Sequence, residues 1–213
     1  MRKSILVATV AGAAALSFGA LQAQSGPSAI PGQLDTSRIQ AGTYKSDKNH
    51  SLIGWRINHL GFNDYFGLFG DVDATLTLDP ANLAGAKVDA TIPINPVLAS
   101  PELREHLLKP APEGGQADFF GANPTPAHFV STKVTPNGNK ARIDGNLTLN
   151  GVTKPVTINA EFTGAGNAMG SNTPTVGFEG IATIKRSDFG VSTAGPVVSD
   201  EVELQLTAAF EKQ

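Results

Sequence analysis

The sequence contains no cysteine, which excludes disulfide staples and thiolate metal sites in whatever compartment the protein works. Charge is also scarce, at 16% of residues with a formal net charge of −3. No basic run interrupts that acidic balance, so nucleic acid is an unsuitable partner. Histidine occurs only four times, at His50, His59, His106 and His128, and no His-x-His or His-x3-His spacing brings two of them to one metal ion. Nor is there a Gly-x-Ser-x-Gly elbow, a His-Glu-x-x-His pair or a phosphate-cradling loop. Asp71, Asp73 and Asp89 alternate with apolar neighbours and read as solvated outer faces. No catalytic residue, metal or cofactor is therefore expected.

What is abundant is glycine, at 23, and proline, at 14, between runs of Val, Ile and Thr. That composition suits an all-β chain with many turns. "MRKSILVATVAGAAALSFGALQAQS" opens with Arg2 and Lys3, continues through an uncharged alanine-rich stretch and reaches a small residue at Ala23. This is the layout of a signal peptide over residues 1–23, and export is expected. The stretch is too diluted by Gly12, Ser17 and Gly19 for a spanning helix of ~20 strongly apolar residues, so no stable membrane span is expected after cleavage. Cleavage leaves 14 Lys+Arg against 19 Asp+Glu, a formal charge of −5. Residues 24–41 are polar and punctuated by Pro and Gly, as in a flexible lead-in. Residues 42–213 form one domain.

From Gly42 onward, apolar and polar residues alternate. In "FGLFGDVDATLTLD" the even positions Phe66, Leu68, Val72, Ala74, Leu76 and Leu78 are apolar. The same rule places Ala86 to Ile94, Ala141 to Leu149, Val152 to Phe162, Val176 to Ile184 and Val202 to Phe210 on inner faces at alternate positions. With the opening stretch and "AHFVSTKVT" this predicts eight strands. Asn150-Gly151 is a two-residue hairpin signal. "SPELREHLLK", with Ser100 as N-cap and Pro101 at the first helical position, predicts a short helix, placed between the fourth and fifth strands. Eight one-sided antiparallel strands suit a closed, lipocalin-like barrel, which leaves no sheet edge exposed.

In "NHSLIGWRINHLG", Ile53, Trp55, Ile57 and His59 share one face while His50, Leu52, Arg56 and Asn58 share the other. Inward positions also include very small residues: Gly70, Ala74, Ala86, Ala90, Gly145, Ala160, Gly180, Ala182 and Ala208. Such an interior either leaves an apolar void for a guest or is filled by aromatic rings. His59, His128, Thr132, Lys154 and Arg186 are the polar residues expected to point inward. They form a collar over a greasy shaft, or else reach solvent and nearby acids such as Asp188. Period two leaves open whether His128 or Phe129 faces inward.

"HSLIGWRINHLG", "GLF", "DFF", "FVSTKV", "GNLTLNGVTKPV" and "IKRSDFG" occur in an order and spacing that resembles the YceI-like family, over about residues 42–210. The resemblance implies a lipocalin-like barrel that binds polyisoprenoid or related long-chain amphiphiles in the bacterial periplasm, often as a homodimer. The matching motif positions include His50, Gly67, Phe69, Asp118, Ser131, Gly151, Asp188 and Gly190. Trp55, Ile57, His59, Phe119, Phe120, Phe129 and Arg186 are those suited to a pocket. Adding Ile53, Phe66, Leu68, Phe178 and Phe189 completes the candidate ligand-binding set. Val72 and Ala74 depart from the aromatic and glycine usual in relatives, and Ala127-His128 replaces an apolar pair.

The leading expectation is non-enzymatic binding of a polyprenyl phosphate, polyprenyl diphosphate or isoprenoid quinone for transport, storage or sequestration. Two alternatives stand beside it: an enzyme acting on such a lipid with His59 or His128 as base, and an envelope stress or adhesion protein using the barrel as scaffold.

Overall fold

The computed structural model describes residues 30–213. The leader expected over 1–23 lies outside them. The strands are β1 (Gly42–Ser46), β2 (Leu52–His59), β3 (Asn63–Phe69), β4 (Asp73–Leu78), β5 (Lys87–Ile92), β6 (Pro96–Leu98), β7 (Ala127–Asn137), β8 (Lys140–Leu149), β9 (Val152–Asn167), β10 (Pro174–Lys185) and β11 (Glu201–Lys212). One helix, α1 (Pro101–Leu107), lies between β6 and β7.

The sheet order β1-β4-β5-β7-β8-β9-β10-β11 closes on itself through β1–β11 pairing, which makes an eight-stranded antiparallel barrel. β2, β3 and β6 are the upper continuations of β1, β4 and β5. β11 pairs with β1 through Phe210–Lys212 and with β2 through Glu203–Thr207, so residues 42–59 form a single bent stave. Counted as staves, α1 follows the third and precedes the fourth. The expected position between the fourth and fifth is corrected because residues 42–59 bend without leaving β11.

Serine hydroxyls take over where the ladders break. Ser46 Oγ donates to Val72 O and accepts from Ala74 N, at 2.7 and 2.8 Å, across the gap between β3 and β4. Ser51, fully buried, accepts from Ala209 N at 3.3 Å beside the bend between β1 and β2. Ser131 Oγ accepts from Val88 N at 2.8 Å where β7 bulges. Backbone groups at these bends stay satisfied, so the staves can kink without an unpaired buried donor.

The gap between β3 and β4 also changes the phase of the alternation. Asp71 sits at φ 56°, in the left-handed region. Phe69 and Val72 both face inward although they are three positions apart, because one extra residue is accommodated there. Below the gap the even residues Ala74, Leu76 and Leu78 are buried, as the alternation predicts. Above it the odd residues face in, so Phe66 is 60% exposed and Leu68 lies on the outside wall beside Gly54.

The lower half is solid. Phe162, Phe178 and Phe210 meet edge to face, with centroids 5.8 and 6.3 Å apart, and pack with Tyr44, Leu76, Leu78 and Val176. Tyr44 is fully buried and donates to Gln40 O at 2.6 Å. The segment before β1 closes this end. Gln33 exchanges backbone hydrogen bonds with Ala165, and Ile39 packs on the core. The flexible lead-in expected over 24–41 is thus, from Pro31 onward, laid against β9, because it covers apolar surface and satisfies the exposed backbone there.

Candidate ligand cavity

The upper half is hollow. A cavity of about 570 Å³ runs between the staves, within the range of small-molecule sites. Its walls are aliphatic: Ile92 and Ile94 from the third stave, Leu147 and Leu149 from β8, Val156 and Ile158 from β9, Ala182 and Ile184 from β10, and Val202, Leu204 and Leu206 from β11. β2 contributes Ile53, Trp55, Ile57 and His59 in strict alternation, as the spacing predicts.

Large rings are pressed against the wall rather than aimed at the middle. Trp55 pairs across the ladder with Gly67, where a β-carbon would stand 2.2 Å from the indole. The indole N–H is buried in this contact and has no hydrogen-bond partner. Phe129 lies over Gly145 in the same way, at 2.3 Å from a hypothetical β-carbon. These glycines are receptacles for rings, an arrangement known to rescue glycine in sheets. Of the small inward residues singled out in the sequence, Ala182 lines the cavity, while Gly180 is covered by Ile158.

The cap consists of α1, the segment through Phe119 and Phe120, and the loop 186–200. α1 begins as predicted: Ser100 Oγ accepts from Leu103 N at 3.1 Å and Pro101 opens the first turn. Its spacing turns Glu102, Leu103, His106 and Leu107 to the cavity. Phe120 N donates to Leu107 O, which ties the segment to the helix. The Asn150-Gly151 hairpin forms with both residues left-handed, φ 55° and 79°. Asn150 Nδ2 reaches Phe119 O and Phe189 O at 3.5 and 3.4 Å.

Arg186 holds the remaining loop. It is 7% exposed and donates to four carbonyls: Nε to Ser199, Nη1 to Val191 and Thr193, and Nη2 to Val198, at 2.6 to 3.0 Å. The guanidinium's fixed fork is thereby engaged in shaping the cap, which corrects the expectation of a collar donor. Asp200 accepts from Ser187 N and Oγ at 2.9 and 2.7 Å. The Ser187 hydroxyl, then its backbone N–H, hold the carboxyl below the usual range.

The exposed part of the lining marks the mouth: Glu102 and His106 on α1, Ala194 on the loop, and half-exposed His59 and Tyr65 on the β2–β3 hairpin. The His59 ring meets Tyr65 edge-on at 4.7 Å. His50 instead bonds Asp47 on the outside, 2.6 Å away. His128 bonds Asp89 outside at 2.8 Å while Phe129 faces in. Thr132 is exposed at the β7 bulge, and Lys154 is not part of the lining. No group of His, Asp or Glu suited to a metal ion exists among the described residues.

The structure therefore brings Ile53, Trp55, Ile57, His59, Phe119, Phe120, Phe129 and Arg186 to one cavity. Four candidates fall elsewhere. Phe66 and Leu68 are outside because of the phase change at Asp71. Phe178 belongs to the solid lower half, and Phe189 is 1% exposed within the core. Tyr65 and the α1 face join the lining from outside the candidate set. The 102/106 and 103/107 spacing would have found the helix face, whereas nothing in the sequence marks the phase change that brings Tyr65 inward.

A family model described as the YceI-like domain matches residues 44–210. The chain belongs to the YceI-like family. A UPF0312 protein of Pseudomonas paraeruginosa is 44% identical over 180 residues, covering 83% of this chain and 90% of the relative. Among solved structures, Burkholderia cenocepacia BcnA has a TM-score of 0.64 at 27% identity, with 77% of this chain and 98% of BcnA covered. A polyisoprenoid-binding domain from Saccharophagus degradans shares the fold at a TM-score of 0.52 and 15% identity, covering 82% of this chain and all of that domain.

Proposed function

We propose that this family member carries a long-chain isoprenoid lipid, a polyprenyl phosphate or diphosphate or an isoprenoid quinone, with its tail in the upper cavity, for transport, storage or sequestration in the periplasm. The observation that carries this reading is the cavity itself: about 570 Å³, walled by aliphatic side chains, with polar groups confined to the rim and the Arg186 clasp. A neutral tail is the natural occupant of such a space. Burial contributes about 0.8 kcal/mol per methylene, so ten such groups supply about 8 kcal/mol before ordering costs. That BcnA and the S. degradans domain share the architecture supports the barrel as the framework; the reading for this chain rests on its own lining.

Trp55 is the sequence's one tryptophan and lies in the wall, so it reports occupancy directly. Titration with isoprenoid quinones of increasing length should quench its emission, with affinity rising per isoprene unit until the cavity is full. Ala182→Phe, which fills the shaft, should abolish the quench. Absence of quenching at every length, together with no lipid extracted from freshly purified protein by mass spectrometry, would remove the proposal.

A further inference from the structure

The hairpin between β2 and β3 protrudes beside the mouth and carries apolar side chains into solvent. Phe62 is 88% exposed and Leu60 47%. Val197, on the loop across the mouth, is 52% exposed. The two segments are fastened together: Leu60 N donates to Val197 O at 2.8 Å, and His59 forms a β-bridge with Val198. Leu60 is held at φ 57°, a left-handed conformation that a leucine seldom adopts. A large apolar side chain thus stands at the tip, where glycine or asparagine would fit more easily.

We propose that Leu60, Phe62 and Val197 form a wedge that enters the apolar layer of a lipid bilayer and sets the cavity mouth against it. This rests on the lipid-carrier reading for its purpose, since a long tail leaves a membrane most readily through a path that avoids water. The wedge is continuous with the mouth: His59 and Val198, adjoining Leu60 and Val197, both line the cavity. Three protruding side chains are far short of the ~800 Å² per partner of a standard protein interface. A bilayer accepts such a convex tip, with apolar burial as the attraction. Charge is not the attraction, because the acid Glu102 stands exposed at the mouth and Arg56 is already bound to Asp64 and Glu203.

The test uses purified protein and the variant Leu60→Asn/Phe62→Ser/Val197→Ser, with thermal unfolding confirming that both fold. Wild type should float with phosphatidylcholine vesicles and the variant about tenfold less, in low and high salt alike. Transfer of a long-chain isoprenoid quinone from those vesicles, read by Trp55 quenching, should slow by a similar factor. Quenching by a short, water-soluble prenyl quinone should be equal in both proteins. Equal flotation, no flotation of wild type, binding only to anionic vesicles at low salt, or loss of a dimer as the main effect of the variant would each overturn the wedge. Failure of the soluble quinone to quench either protein would instead count against the cavity reading, and flotation alone would still decide the wedge.

Discussion

The same eight staves are solid below and hollow above, although both halves are written in the same alternating pattern. Below, Phe162, Phe178, Phe210 and Tyr44 reach the barrel axis. Above, the wall is mostly branched aliphatics too short to meet across the middle, and two of the large rings, Trp55 and Phe129, are folded onto Gly67 and Gly145. Alternation therefore decides which side chains face in. How far they reach, and what lies opposite them, decides whether a core or a cavity results.

The contrast predicts unequal costs of truncation and insertion. Phe210→Ala, in the solid half, should lower unfolding free energy by about 4 kcal/mol in denaturant melts, through lost burial plus a new void. Arg186→Met should cost about 3 kcal/mol by leaving buried carbonyls of the cap without donors. Hydrogen exchange should then speed up across 187–199, with β9–β10 in the lower half unaffected. Leu204→Ala, on the cavity wall, should cost nearer 2 kcal/mol, since one side of that residue already faces a void. If Leu204→Ala and Phe210→Ala cost the same, the two halves are not packed differently.

Gly67→Ala sharpens the comparison at one atom. The new β-carbon would drive the Trp55 ring into the shaft at about 1 kcal/mol, shifting its emission and weakening quinone binding severalfold. The smallest effect concerns Asp200. Its depressed pKa means that its contribution is complete above the ordinary value of 3.8 and is lost as pH falls through the lower folded value. Cap exchange should accelerate from about pH 4 downward, and Asp200→Asn should remove that pH dependence while leaving the barrel's melting nearly unchanged.

Much of this was legible in the sequence. Period two identified the staves and the inward face of β2, Ser100-Pro101 located the helix, and Asn150-Gly151 located the hairpin. The alternation alone puts Phe66 and Leu68 on the inner face, whereas they lie outside because the phase change depends on Asp71 adopting φ 56°, a backbone choice that an aspartate does not announce. The position of the cavity was hidden for another reason: a leucine facing a void and a leucine facing a phenylalanine carry the same letter and the same pattern. Its place at a strand end points Arg186 to the rim, since such arginines commonly reach water, whereas four carbonyls of its own loop satisfy it inside.

That arginine grips only main-chain oxygens. The side chains of Val191, Thr193, Val198 and Ser199 are not what it recognises, so the identity of an exposed neighbour such as Val197 can drift without loosening the clasp. Evolution, or an engineer, is free to rewrite the exposed face of the cap while leaving the pin that fastens it where it is.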